Sequence, residues 1–121
     1  MNNITIEQIT PCDPNGNQIP IPTPQGHGYN KPFTIGFPEG CKVIGAKLHR
    51  SGIAFFAECR LHENPKGQRY ENHTFVFLPN GSPVPKDETN GQWRHVETFL
   101  VDRHSDYVVH LYEQAPQKAK R

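Results

Sequence analysis

A chain of 121 residues with 34% apolar residues holds one modest core, and its twelve prolines and ten glycines work against long helices. The formal net charge of +1 makes no field strong enough to gather nucleic acid or an acidic membrane surface. Residues 1–10 lack an apolar signal segment, because Asn2, Asn3, Glu7 and Gln8 interrupt it, and no stretch approaches a membrane span, so a cytoplasmic protein is expected.

Residues 1–30 read as a Pro/Gly-rich N-terminal arm or edge hairpin. Ile4, Ile6 and Ile9 hint at a short strand, and Asp13-Pro14-Asn15-Gly16-Asn17 is a turn. Ile19, Ile21 and Thr23 then alternate with Pro20, Pro22 and Pro24. Proline cannot donate to a ladder, so this piece is an edge strand or a polyproline-like arm, suited to docking on a neighbouring subunit.

Residues 31–114 read as a single β-domain. Phe33-Thr34-Ile35-Gly36-Phe37 alternates as a strand does, and Pro38-Glu39-Gly40 turns the chain into residues 42–60, KVIGAKLHRSGIAFFAECR. This stretch is a predicted β-hairpin around which the rest is organised. Before its turn Ile44, Ala46 and Leu48 share a face; after it Ile53, Phe55, Ala57 and Cys59 alternate against Ala54, Phe56, Glu58 and Arg60. Gly52, after Arg50 and Ser51, readily supplies a left-handed residue. Phe55, Phe56, Ala57 and Cys59 are expected to anchor the core.

Residues 61–71 form a polar connection, 74–78 a compact apolar strand and 82–92 a loop with Pro83, Pro85 and Gly91. Over 93–101 Val96, Thr98 and Leu100 oppose His95, Glu97, Phe99 and Val101; over 107–113 Tyr107, Val109 and Leu111 oppose Val108, His110 and Tyr112. Residues 115–121, with Lys118, Lys120 and Arg121, read as a disordered basic tail. About six short strands with turn signals between them predict an all-β fold, a small antiparallel β-sandwich or barrel.

No catalytic or cofactor signature stands in this pattern, and a non-enzymatic protein without a cofactor is expected. Cys59 and His62 make one Cys-x-x-His pair, whereas structural zinc wants two such pairs, so no metal is expected. The three cysteines are expected as thiols, with Cys59 buried in a strand and Cys12 in a loop. His110 could meet Glu97 or Glu113 across strands, which reads as a structural pairing rather than as acid–base chemistry. Basic and aromatic residues do mix: Lys47, His49, Arg50, Arg69, Tyr70, Trp93 and Arg94. Gathered on one surface they could stack a base and hold phosphate, and with His110 they form the candidate ligand- or partner-binding set.

A succession of short motifs runs from residue 33 to 113: Phe37-Pro38-Glu39-Gly40-Cys41, Phe56-Ala57-Glu58-Cys59, Gly81-Ser82-Pro83-Val84-Pro85, Val96-Glu97-Thr98 and Val109-His110-Leu111-Tyr112-Glu113. In their order and spacing they resemble a group of small uncharacterised proteins common in bacteriophages and prophages, to which no activity is attached. Glu97 departs from that pattern, which prefers Gly there, and the proline-rich extension over residues 1–29 is longer than the pattern. The resemblance implies a phage-encoded binding protein in the host cell cytoplasm. Its first expected role is inhibition of host antiviral defence, by binding a defence protein or sequestering a nucleotide second messenger. A homo-oligomer is expected, joined through the arm or through residues 93–101, with nucleic acid and membrane outside its partners. A virion- or tail-associated structural or accessory protein is the alternative, and a metal-dependent hydrolase the third reading.

Overall fold

Among the described residues, those of alternating character and β-branched or aromatic type pair into seven strands, every pairing antiparallel. They are β1 (Ile4–Ile9), β2 (Phe33–Pro38), β3 (Cys41–His49), β4 (Gly52–Arg60), β5 (Tyr70–Pro79), β6 (Trp93–Asp102) and β7 (Tyr107–Gln114). The protein is described by a computed structural model over residues 4–10, 12, 17, 23–24, 28–49, 52–60, 70–85, 92–102 and 107–114, with the backbone alone for His49 and Asp102. The strand hinted at by Ile4, Ile6 and Ile9 is the seventh, beyond the six expected from the rest of the chain. Residues 13–16, 18–22 and 115–121, which hold most of the proline-rich arm and the tail, lie outside the described residues.

The strands form two sheets, β1-β4-β3 and β2-β5-β7-β6, stacked as a sandwich rather than a closed barrel. Their facing sides make one core. Ile9, Val43, Ala46, Ile53, Phe55 and Ala57 come from the first sheet; Ile35, Phe37, Phe75, Phe77, Val96, Phe99, Val109 and Leu111 come from the second. Phe37, Phe55 and Phe75 meet at its centre with ring centroids 5.1–6.2 Å apart, in the tilted and edge-on arrangements that aromatic quadrupoles favour. Val76 and Leu78, on the opposite face of β5 from Phe75 and Phe77, are buried as well, so this inner strand is covered on both sides.

The hairpin is present as β3 and β4, and Gly52 turns it with φ +139°, a conformation that L side chains rarely adopt. Its faces differ from the expected ones in two places. Ladder register shifts between Val43 and Gly45, so Ile44 bulges and β3 changes phase. Val43 and Ala46 point inward, while Ile44 is 39% exposed on the outside. On β4 strict alternation holds: Phe55 is fully buried, and Phe56, expected as a core anchor, lies half-buried on the outer face.

A second register shift between His95 and Glu97, and a third between Leu100 and Asp102, reorder β6. Of the predicted face Val96, Thr98 and Leu100, only Val96 reaches the core; Leu100 is 53% exposed and Phe99 is buried instead. A bulge places two residues opposite one, which no period-two reading of the sequence anticipates.

Each open side of the sandwich has its own link. Beyond β1 the chain crosses to the other sheet, where Cys12 and Gly36 exchange two backbone hydrogen bonds of 2.7 Å. Cys12, expected in an exposed loop, is therefore buried at this bridge. On the opposite side β3 lies beside β6, and side chains make the connection.

Candidate functional site

β3 is the edge strand of its sheet, so backbone groups on its outer side have no ladder partner, and unpaired backbone groups away from water are costly. β6 answers with two inward-reaching charged residues. Arg94 Nη2 donates to Val43 O, and Glu97 Oε1 accepts from the Ala46 N–H at 3.5 Å. Gly45 lies beside this approach, where a Cβ would stand at an ordinary contact distance of 3.4 Å from Glu97 Oε1. Glu97 is thus one of the residues that close the seam between the sheets.

Arg94 Nη2 also donates to Glu113 Oε1, while Glu113 Oε2 lies 2.7 Å from His73 Nδ1. Glu113 is 4% exposed, and a carboxylate so buried needs partners on both oxygens, which these two residues supply. His73 stands edge-on to Phe37 at 5.1 Å, and its Nε2 is buried without a hydrogen-bond partner. In the neutral tautomer that donates Nδ1–H to Glu113, Nε2 carries only a lone pair, which costs less to bury than an N–H. Nε2 is walled from solvent and so cannot serve as a base for a solvent-borne substrate.

Beside this cluster lies a cavity of about 250 Å³ whose walls include Cys41, Lys42, Glu71, Asn72, His73, Arg94 and Glu113. Glu71 Oε1 is turned to the Gly40 N–H at 3.1 Å. Cys41 and Cys59 face each other at this end with sulfurs 2.7 Å apart. Burial, and then the hydrogen bond with Cys59, push the Cys41 thiol up to about 12, so it holds its proton and is no ready nucleophile. Among the described residues no group of three or more His, Cys, Asp and Glu is placed to hold a metal ion.

The candidate residues do not all converge. Lys47 lines a shallow outer groove at the β3–β6 seam, together with Phe56, Thr98 and Leu100. Arg94 belongs to the other cavity and is committed to Glu113 and Val43. Trp93 is half-buried at the start of β6 with Nε1 buried and unpartnered, and Tyr70 is exposed at the start of β5. His110 pairs with neither Glu97 nor Glu113. It belongs to a surface chain in which His95 Nε2–H donates to Thr98 Oγ1 at 2.7 Å, Thr98 O–H to His110 Nδ1 at 2.9 Å, and His110 Nε2–H to Asn80 Oδ1 at 3.1 Å. Arg50, Arg69 and the side chain of His49 lie outside the described residues.

Two features escaped the sequence reading. Glu113 shares the parity of Val109 and Leu111, and a lone carboxylate on an apolar face is the signal that it needs buried partners. The other is a set of apolar side chains on the outer face of the first sheet, where Ile4 (54% exposed), Ile6 (69%) and Ile44 are exposed and Phe56 is half-buried. Ile6 pairs with Glu58, Gln8 with Phe56 and Gly45 with Phe56, which sets these side chains on three adjoining strands.

No protein-family model, curated protein or solved structure matches the chain. Among the described residues no helix is long and apolar enough to cross a membrane.

Proposed function

We propose that this chain is a small, non-enzymatic, phage- or prophage-encoded binding protein that acts by covering a protein of the host's antiviral defence. The observation that carries the binding role is the outer face of the β1-β4-β3 sheet, with Ile4, Ile6 and Ile44 exposed around Phe56. Exposed apolar side chains on an outer face favour a protein surface over a charged nucleotide. Arg94 and Glu113 support the same reading, because their charges are committed to each other and to β3. The phage setting and the defence target rest on the motif resemblance.

β1 suits self-association: it is an edge strand whose outer side pairs with no other described strand, so a second copy could continue the sheet there. Efficiency of plating on a defence-carrying host tests the reading. Expression of the chain should restore plaques by orders of magnitude, and Ile6→Glu with Ile44→Lys should abolish the rescue while leaving the melting temperature in place. Unchanged rescue by that double variant would reject the apolar face as the binding surface. Stoichiometric recovery of the chain in purified virions, with no rescue, would replace the defence role with a structural one.

A further inference from the structure

Cys41 and Cys59 are direct cross-strand partners in the β3–β4 ladder. The Arg60 N–H donates to Gly40 O at 3.4 Å, so residues 40 and 60 form a hydrogen-bonded pair. The next pair along, Cys41 and Cys59, is by alternation a non-hydrogen-bonded one. In such pairs the Cα atoms approach to about 4.5 Å and the side chains lie closest, inside the span that a disulfide bridges. The sulfurs are 2.7 Å apart, nearer than two sulfurs rest without bonding or sharing a hydrogen. The pairing and the sulfur spacing set the two thiols in position for a bond.

We infer that Cys41 and Cys59 are a redox-modification site, at which an oxidised low-molecular-weight disulfide of the glutathione class converts the facing thiols into a cross-strand disulfide. The step balances without any other reactant. One cysteine, as thiolate, attacks a sulfur of the oxidant and releases one small thiol. The second cysteine then displaces the other half, forming the Cys41–Cys59 bond. The oxidant leaves as two thiols that carry the two cysteine protons. Both sulfurs are buried, and burial holds the Cys41 thiol protonated, so exchange proceeds from an opened state and is slow in the closed fold. Once formed, the bond pins the end of the hairpin opposite Gly52, against the wall of the Glu113 cavity. Cys12 takes no part: it lies at the other side of the sandwich, bridged to Gly36, with its thiol directed to Thr10 O at 3.4 Å.

The test is refolding of the full chain in oxidised or in reduced glutathione, followed by intact-mass measurement, alkylation of remaining thiols and peptide mapping. Oxidised protein should weigh two hydrogens less, retain one alkylatable cysteine and yield a peptide joining Cys41 to Cys59. Its melting temperature should exceed that of the reduced form by about 10 °C, as expected for closing a loop of this length. Cys12→Ala should keep the bond and the shift, and Cys59→Ala should lose both. Three alkylatable thiols in the folded protein after oxidative refolding would overturn the inference, as would a bond that joins Cys12.

Discussion

The Glu113 end of the sandwich and the Ile6 face of its first sheet reverse the usual distribution of polarity. Inside, a buried carboxylate is held between an arginine and a histidine. Outside, isoleucines stand in water. The inner group is accounted for by the fold itself: Arg94 and Glu97 satisfy outer backbone atoms of β3, the edge strand of its sheet. Nothing in the described fold covers the outer group, which is why the binding role is placed there. Charge in this molecule closes a seam, and apolar side chains are left exposed on the outer face.

The largest effect that would break this comparison is on the hairpin. Phe55→Ala should cost about 3–5 kcal/mol in chemical denaturation, because Phe55 is fully buried among Phe37 and Phe75. Phe56→Ala, on the outer face, should cost about 1 kcal/mol and weaken binding instead; equal losses would mean that both faces are core. Glu113→Ala should come next, near 2–3 kcal/mol by urea titration, since it strands Arg94 and His73, with the value moderated by the 40% exposure of Arg94. Should this variant prove as stable as the parent, the cluster would not be holding the seam. Glu97→Ala removes one long hydrogen bond and should cost about 1 kcal/mol.

Cys41 adds a pH dependence. Its thiol is raised in the folded state from the ordinary 9.0 to about 12, so between those values the unfolded chain has lost a proton that the folded one keeps. Stability contributed by this group is complete below pH 9 and falls as pH rises toward 12. A melting-temperature series of the reduced protein should show the decline, and Cys41→Ala should flatten part of it. Smallest of all, Ile6→Glu should move stability by no more than about 0.5 kcal/mol while removing partner rescue.

The strands were legible because period-two alternation is local. Phe33–Pro38, Gly52–Arg60 and Tyr107–Gln114 stand where the alternating residues put them, and Gly52 turns the hairpin as its missing Cβ allows. β5 began earlier than expected: Tyr70 and Glu71 are strand residues, because β2 pairs along the whole of Tyr70–Phe75 and carries the polar end of β5 into the ladder. The bulges at Ile44 and Val96 were not legible, since one inserted residue inverts every later side chain and no local preference marks it. For the same reason Leu100 moved outward and Phe99 inward, whereas Phe56 faces outward by the plain alternation of β4.

By itself, then, the amino-acid sequence determined an all-β chain with its turns and most of its strand limits, because backbone preference and alternation act between near neighbours. Only the tertiary structure decided that His73, Arg94 and Glu113 meet, that Glu97 reaches the Ala46 N–H across the seam, and that Cys41 faces Cys59. Those contacts join β5 and β6 to β7, β6 to β3, or β3 to β4, and depend on register, which is set by how two whole faces pack rather than by any residue's own propensity.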